Sequence, residues 1–203
     1  MKPTYRFYKI CYRVARVLLG LFYRIDVQGK ENIPQGPAIA CGNHSSILDP
    51  FFLAFAFGIK NHMHIIAKAE LYKVPVVSAI IRKLGTIRVD RGIRDINSVK
   101  QSLSYLNKGE KVAIFPEGTR KSAVNTVTAK SGAVKLAQRA NVPLVPIFIP
   151  RKKPLFSKLH IVIGEPYYIE KGTVKHSSDD YLHLADVLMN KIEALNPKSG
   201  ESK

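Results

Sequence analysis

The sequence has few cysteines, and no long uncharged run occurs near its amino terminus. Cys11 and Cys41 lie in apolar segments without a Cys-x-x-Cys pattern, which is typical of buried thiols in a reducing compartment and argues against a disulfide framework or a cysteine metal site. A bilayer span needs about 20 mainly apolar residues, whereas the longest uncharged run among the first 25 residues extends only from Val17 to Tyr23. A membrane-spanning helix is therefore not expected there.

Acidic residues are also scarce. The chain of 203 residues has 15 Asp and Glu against 32 Lys and Arg, a formal net charge of +17. Such an excess requires an anionic partner, which can be nucleic acid, an anionic membrane or acidic substrates and carriers. We find no nucleic-acid module and no basic stripe interleaved with aromatic residues. A noncatalytic binder of nucleic acid or anionic lipid is therefore supported by charge alone.

The amino-terminal segment predicts a basic amphipathic helix. On a helical projection its basic residues fall within an arc of roughly 80°, and aromatic and aliphatic residues cover the remainder. We expect this helix to lie in the membrane interface, with its basic side chains at anionic headgroups. The alternative is a helix packed on the domain with a solvated basic edge. The charges also interrupt the apolar core that a cleaved signal peptide needs. The basic residues are Lys2, Arg6, Lys9, Arg13, Arg16 and Arg24.

A histidine and an aspartate stand five positions apart, at His44 and Asp49. The small apolar run from Pro37 to Gly42 predicts a buried strand, and Pro50 to Gly58 predicts a helix. His44 then lies in a strand-to-helix turn, where open α/β sheets bind ligands. A carboxylate bonded to one ring nitrogen prepares the other to accept a proton. The pair predicts a base oriented by Asp49, although a half-buried structural histidine and a helix-capping aspartate are the alternatives.

Four blocks of the sequence together resemble the signature of the glycerolipid acyltransferase family. They follow the family's order and spacing, and the resemblance extends from about residue 30 to about residue 166. A single block would be weak support, but four in order make a chance match very improbable. The blocks are His44 to Asp49, Gly85 to Arg91, Phe115 to Arg120 and Val145 to Ile147.

The resemblance implies transfer of a fatty acyl group from a thioester, on coenzyme A or acyl carrier protein, to a free hydroxyl. His44 would be the general base and Asp49 would hold its ring. The acceptor that we favour is the sn-2 hydroxyl of lysophosphatidic acid, giving phosphatidic acid, with glycerol 3-phosphate or another lysolipid left open. No metal, redox cofactor or covalent enzyme intermediate is required. The sequence contains no Gly-x-Ser-x-Gly elbow, so Ser45 and Ser46 are interpreted as turn residues.

Two arginines follow short apolar runs that predict parallel strands, Thr86 to Val89 and Val112 to Phe115. The planar guanidinium group donates paired hydrogen bonds to phosphate and stays charged at working pH. By resemblance, Arg91 and Arg120 bind the phosphate of the acceptor. The role of Arg88 is left open. The same resemblance assigns the shaping of the pocket to Glu117, Gly118 and Thr119.

The fold class predicted is a single α/β domain with a mixed, mostly parallel sheet flanked by helices. The amphipathic helix is assigned to residues 1–27, the acyltransferase domain to 28–195 and a disordered tail to 196–203. We expect a peripheral or monotopic protein at the cytoplasmic face of the cell membrane; the oligomeric state is not predicted. His62 and His64 are interpreted as polar surface rather than a metal site, since no third ligand is evident.

Alternating apolar patterns predict the remaining elements. A helical stretch beginning at Lys68 is expected to break near Pro75. Further helices are expected at 95–106, 131–139 and 180–195, and further strands at 62–66, 86–89, 112–115, 142–149 and 159–163.

Overall fold

The computed structural model describes residues 5–90, 95–118, 130–170 and 176–197. These residues form six α-helices, seven strands and two short 3-10 turns, Lys30–Asn32 and Ala69–Lys73. The helices are α1 (Tyr5–Gly20), α2 (Asp49–Phe57), α3 (Pro75–Lys83), α4 (Ile96–Asn107), α5 (Gly132–Ala140) and α6 (Ser178–Ala194). The strands are β1 (Arg24–Gln28), β2 (Ala38–Gly42), β3 (Met63–Lys68), β4 (Ile87–Val89), β5 (Lys111–Ile114), β6 (Leu144–Phe148) and β7 (Lys158–Ile163).

The seven strands form one sheet in the order β1-β7-β6-β2-β5-β3-β4. Every neighbouring pair is parallel except β6 and β7, which are antiparallel. The prediction of a mixed, mostly parallel sheet is thus confirmed. Because β2, β3, β4, β5 and β6 run in the same direction, their carboxyl ends meet at one edge, where ligands bind in open α/β sheets.

The core occupies both faces of the sheet. Along β2, Ile39 and Cys41 pack with α4, α5 and α6 on one face. Ala38 and Ala40 lie on the other face, against Phe52 and further aromatic residues of α2. This alternation follows from the two-residue period of a strand. Small side chains in β2 leave room for the large rings of α2, so the strand and the helix that flank His44 are held by a fully buried interface.

The amino-terminal helix is shorter than the predicted segment 1–27. It ends at Gly20, and Arg24–Gln28 form β1, which pairs in parallel with β7. Tyr23 is buried between the two elements, and Ile25 and Val27 alternate towards the core beneath α2. The period of two beyond Tyr23 is that of a strand, so the helical projection was extended too far along the chain, and Arg24 belongs to β1.

One side of α1 packs on the domain. The buried Tyr8 donates a hydrogen bond to the Asn61 carbonyl at 3.1 Å, and the Tyr12 ring meets Phe55 of α2 edge-on, with ring centroids 5.2 Å apart. A second side exposes a continuous apolar surface, so packing and exposure coexist on one helix. No described helix has the length and apolarity needed to span a bilayer. The exposed residues are Ile10, Val14, Val17, Leu18, Leu21 and Phe22.

One local prediction was confirmed and another was wrong. The expected break near Pro75 is present: the 3-10 turn ends at Lys73, Val74 is extended, and Pro75 begins α3, because proline fits the first turn of a helix, where its missing N–H would have no intrahelical partner. His64 is buried, not on the surface: its Nδ1 lies 2.8 Å from the Gly85 carbonyl and its Nε2 2.6 Å from a Glu110 carboxylate oxygen. Its ring stacks on Tyr105 at 3.5 Å between centroids, so these contacts replace its hydration.

Candidate active site

The candidate site lies where β2, β5 and β6 end. Asn43 follows β2, and its side chain both donates to the Ile149 carbonyl and accepts from the Ile149 N–H, each at 2.7 Å. Such a reciprocal pair between buried groups fixes the ends of β2 and β6 against each other. His44 is the next residue, so its backbone is anchored by the same contact.

His44 and Asp49 meet as the sequence predicts. His44 Nδ1 lies 3.0 Å from Asp49 Oδ2, and the two side chains are 14% and 1% exposed. The anionic oxygen accepts a hydrogen bond from the Nδ1–H group, leaving a lone pair on Nε2. Phe115 stacks on the imidazole with ring centroids 4.3 Å apart. The ring is therefore held by a hydrogen bond and by an aromatic face, with Nε2 prepared to accept a proton.

Asp49 does not cap α2 in the predicted manner. It is the first residue of that helix, after Leu48 in the N-cap position, and its carboxylate turns back along the chain. Oδ2 accepts hydrogen bonds from the Ser45 and Ser46 N–H groups at 2.6 and 2.7 Å. The alternative of a helix-capping aspartate is therefore wrong. The carboxylate organises the turn that carries His44.

Lys153 is a member of the site that sequence reasoning missed. Its side chain is 5% exposed, and Nζ lies 2.8 Å from Asp49 Oδ1. The same ammonium donates to Ser45 Oγ at 2.9 Å. Each Asp49 oxygen thus has its own partner, His44 on Oδ2 and Lys153 on Oδ1. Nothing in the run Arg151 to Lys153 distinguished it from a solvated basic turn; its position just after a strand at the site edge was the available signal.

The pKa of the Asp49 carboxyl is governed by opposing effects. Burial raises the pKa, but the hydrogen bonds from His44, Lys153 and Ser46 and the positive charge of Lys153 more than offset it, so the pKa lies below its ordinary value. Asp49 is consequently an anion near neutral pH, which is the form that fixes the His44 tautomer and can stabilise an imidazolium.

The predicted pocket residue Glu117 is buried beside the His44–Asp49 pair, which we call the dyad. Its Oε1 accepts from the His44 N–H at 3.3 Å and from Arg151 Nη2 at 2.9 Å. Arg151 also contacts the carboxylate of Glu193 in α6. Sequence reasoning missed this second basic residue too, because its acidic partners are 34 and 42 positions away. The network ties the ends of β5 and β6 to the carboxyl-terminal helix.

The other predicted pocket residues are only partly described. Gly118 has φ of +68°, which favours glycine, and a Cβ there would lie 2.8 Å from Lys130 Cε. Arg88 is on the surface and pairs with Asp90 at 3.1 Å. The proposed phosphate ligands Arg91 and Arg120, together with Thr119, lie outside the described residues.

The serines beside His44 are engaged in the turn. Ser45 Oγ donates to the Arg151 carbonyl at 3.1 Å and accepts from Lys153, and Ser46 Oγ accepts from the Leu48 N–H at 3.2 Å. In the described part of the chain, no group of three or more His, Cys, Asp or Glu side chains is arranged to hold a metal ion.

In this mostly parallel α/β domain, a histidine held by a buried carboxylate at the strand ends is an arrangement suited to general-base chemistry. The match to known proteins makes this more specific. A family model described as Acyltransferase covers residues 24–150, and the chain belongs to this family. The resemblance drawn from the four sequence blocks is therefore confirmed.

The relatives match this chain over different shares of their own length. The 1-acyl-sn-glycerol-3-phosphate acyltransferase of Bacillus subtilis is 33% identical over 198 residues, which are 94% of this chain and 98% of that protein. The protein of the same name from Saccharomyces cerevisiae is 33% identical over 151 residues, 72% of this chain and 48% of that one. The crystal structure of the 1-acyl-sn-glycerophosphate (LPA) acyltransferase PlsC from Thermotoga maritima matches with a TM-score of 0.70 and 26% identity, over 94% of this chain and 80% of that one.

Proposed function

We propose that this protein transfers a fatty acyl group from a thioester to the sn-2 hydroxyl of 1-acyl-glycerol 3-phosphate, giving phosphatidic acid for phospholipid synthesis. The observation that carries the proposal is the His44–Asp49 pair at 3.0 Å. Proteins similar to this chain are named for the same reaction. The free Nε2 of His44 has the chemistry needed to take a proton from an alcohol.

The proposed reaction is a direct transfer. As the acceptor oxygen attacks the thioester carbonyl, its proton passes to His44 Nε2 and the C–O bond forms. The tetrahedral intermediate then collapses, the C–S bond breaks, and the imidazolium returns its proton to the leaving sulfur. Asp49 stabilises the imidazolium between these steps. The reaction is redox-neutral and forms no ester with the enzyme, so it requires no metal or redox cofactor.

Lys153 has a positioning role in this proposal. Its ammonium lies 2.8 Å from Asp49 Oδ1 and keeps the carboxylate ionised and in place. Glu117 and Arg151 have a comparable role for the loop after β5, because Glu117 Oε1 bonds both the His44 N–H and the guanidinium group. Lys153 therefore acts on the His44 ring through Asp49, and Glu117 acts on the His44 backbone, and an oriented base is one source of catalytic rate.

The phosphate of the acceptor is proposed to bind Arg91 and Arg120. The support is the family pattern of their sequence blocks and the position of Glu117 and Gly118 beside the dyad, immediately before Thr119 and Arg120 in the chain. The donor is proposed to be acyl-CoA or acyl carrier protein. Both are anionic, and the net charge of +17 favours their approach.

Acceptor binding provides a test that separates phosphate recognition from chemistry. Arg120→Ala, and to a smaller degree Arg91→Ala, should raise the KM for lysophosphatidic acid by roughly 10- to 100-fold, because each removes a charge-assisted hydrogen bond worth about 1.5 to 3 kcal/mol. The KM for the donor should change far less. Thiol release from acyl-CoA, followed with lysophosphatidic acid, glycerol 3-phosphate and lysophosphatidylcholine as acceptors, measures both constants and ranks the acceptors.

Arg139→Ala is the matched control, since this arginine is exposed in the last turn of α5. A rise in the donor KM without a rise in the acceptor KM would reassign the two arginines to the coenzyme or carrier. A preference for glycerol 3-phosphate or lysophosphatidylcholine would reassign the acceptor.

We further propose that α1 rests on the cytoplasmic face of an anionic membrane as a peripheral or monotopic element. Its second side and the turn directly after it present six apolar residues to the solvent, from Ile10 to Phe22. Arg13 is exposed beside them, where it can reach anionic headgroups. The side bearing Tyr8 and Tyr12 packs on the domain, so the helix would join the catalytic domain to the lipid surface that supplies the acceptor.

Replacing four exposed residues of this surface, Val14, Leu18, Leu21 and Phe22, by serine should abolish binding to anionic vesicles at high salt. Each of these side chains is only 42–66% exposed, so its insertion into the lipid contributes about 1 kcal/mol of binding free energy. Salt does not weaken this contribution. Each basic residue contributes about 1 kcal/mol at low salt, and this attraction is screened over about 8 Å at physiological ionic strength. Sedimentation with phosphatidylglycerol vesicles at low and high salt measures the two contributions.

The control replaces Ile96 and Leu182 by serine, two exposed apolar residues on α4 and α6. It should bind vesicles as the wild type does. If high salt releases the wild type completely, or if the four-serine variant still sediments, α1 is a packed helix and not an interfacial one.

A further inference from the structure

A cleft lies at the edge of the sheet opposite the His44–Asp49 pair, where β3 and β5 begin. Its volume is about 730 Å³, and Lys30, Lys60, Asn61, Glu110 and Lys111 are among its lining residues. Lys111 is the first residue of β5, whereas Glu117 follows the end of that strand. The cleft and the dyad are therefore at opposite ends of the same strand.

Lys111 is the unusual residue in this cleft. It is 5% exposed, and among the described residues no hydrogen bond or ion pair to its ammonium occurs. Burial lowers the pKa of Lys111, and no neighbouring charge offsets this effect. The ammonium nitrogen itself is not fully shielded from solvent, so the buried stem of Lys111 presents its charge to the cleft, where burial makes that charge costly unless an anion is near. The protein thus maintains an ammonium that lines a cleft and lacks an anion.

The surrounding charges do not supply that anion. Lys30 and Lys60 line the same cleft, and the single carboxylate among the lining residues is Glu110. Glu110 Oε2 is already bonded to Nε2 of the buried His64 at 2.6 Å. Three lysines therefore line the cleft with one carboxylate that already has its own partner, so the lining residues carry an excess of positive charge.

We propose that this cleft binds a phosphate group, with Lys111 as its central ligand and Lys30 and Lys60 as supporting charges. Lysine binds phosphate as a point charge, and a doubly charged anion matches the excess of ammonium groups. The cleft also includes Tyr5 of α1, whose hydroxyl donates to the Ile59 and Lys60 carbonyls at 3.0 and 3.1 Å. Because α1 is the helix that we propose to rest on the membrane, the phosphate can come from solution or from the headgroup of a lipid. This site is separate from the proposed acceptor site and does not depend on it.

Titration of isotope-labelled protein with inorganic phosphate, followed by NMR, tests the proposal residue by residue. The amide signals of Lys60, Asn61, Gly109 and Lys111 should shift and saturate. In Lys111→Met the apparent affinity read from Lys60, Asn61 and Gly109 should fall at least roughly tenfold. Methionine preserves the apolar stem and removes the charge, so the variant should fold. Lys100→Met, at an exposed position of α4, should bind as the wild type does.

Signals of His44 and Glu117 report any phosphate at the dyad in the same titration, so failure of one site is distinguishable from failure of the other. Signals in the cleft that stay fixed, or that respond equally in Lys111→Met, would overturn the proposal. Sedimentation with phosphatidylcholine vesicles, with and without phosphatidic acid, identifies the source. Loss of the phosphatidic-acid-dependent binding in Lys111→Met indicates a headgroup, and unchanged sedimentation alongside lost phosphate binding indicates a free anion.

Discussion

Replacing His44 by alanine is expected to lower the turnover of acyl transfer by about 10²- to 10⁴-fold without unfolding the domain. The imidazole is removed together with its proton-accepting Nε2, while Asn43 still bonds Ile149 at 2.7 Å and maintains the ends of β2 and β6. Steady-state thiol release at saturating acceptor measures the loss, and circular dichroism with thermal unfolding measures the fold. The KM for the acceptor should change much less than turnover.

His160→Ala is the matched control. His160 Nδ1 also pairs with an aspartate, Asp26, at 3.1 Å, but both side chains are well exposed on β7 and β1. This variant should retain wild-type turnover. A folded His44→Ala protein with near wild-type turnover would remove the general base from the mechanism.

Asp49→Asn is expected to reduce turnover by about 10²-fold or more. The amide cannot stabilise the imidazolium as a carboxylate does, and the tautomer of His44 is set wrongly when the amide N–H faces Nδ1. The substitution also places an uncharged group against the Lys153 ammonium, 2.8 Å from Oδ1. We therefore expect a loss of stability as well, which a simple capping residue would not show on replacement by asparagine.

The pH dependence of stability distinguishes this role. Because hydrogen bonds and Lys153 hold the pKa of Asp49 below its ordinary value despite burial, its ionised form stabilises the fold above the unfolded pKa of about 4. That contribution is lost as pH falls through the lower folded pKa. The difference in free energy of unfolding between wild type and Asp49→Asn should thus be largest near neutral pH and shrink below pH of about 4.

Asp26→Asn serves as the control, since Asp26 pairs with both Lys158 and His160 at the surface. Its effects on turnover and stability should be small, as for exposed ion pairs generally. If the free energy of unfolding depends on pH in the same way for the wild type and Asp49→Asn, the charge of Asp49 does not stabilise the fold and its role is limited to shaping the turn.

The central strands and the dyad were predictable because the patterns that specify them lie within a few neighbouring residues of the sequence. The small apolar run before Asn43 identified β2, and the spacing of His44 and Asp49 predicted that the turn and helix start bring the two side chains together, as found at 3.0 Å. The parallel sheet followed from the alternation of strands and helices. The proposed roles of these residues in catalysis remain predictions.

Features that depend on distant partners were not predictable. Lys153 looks like a surface lysine until the end of β6 brings it 2.8 Å from Asp49, 104 positions earlier in the chain. His64 alternates like a half-exposed residue until Tyr105 and Glu110 enclose it. The period of two at Ile25 and Val27 was a local signal for a strand, but the five residues of β1 are too few to separate from a helix without the long-range pairing of β1 with β7.

Mass spectrometry of protein and lipid in one reaction tests the central claim most directly. The wild type is mixed first with acyl-CoA or acyl carrier protein thioester alone and then with lysophosphatidic acid. Direct transfer by His44 predicts that the protein mass stays unchanged throughout and that phosphatidic acid forms only after the acceptor is added. An acyl adduct on the protein that decays when the acceptor arrives, or the absence of phosphatidic acid with both donors, would contradict the account.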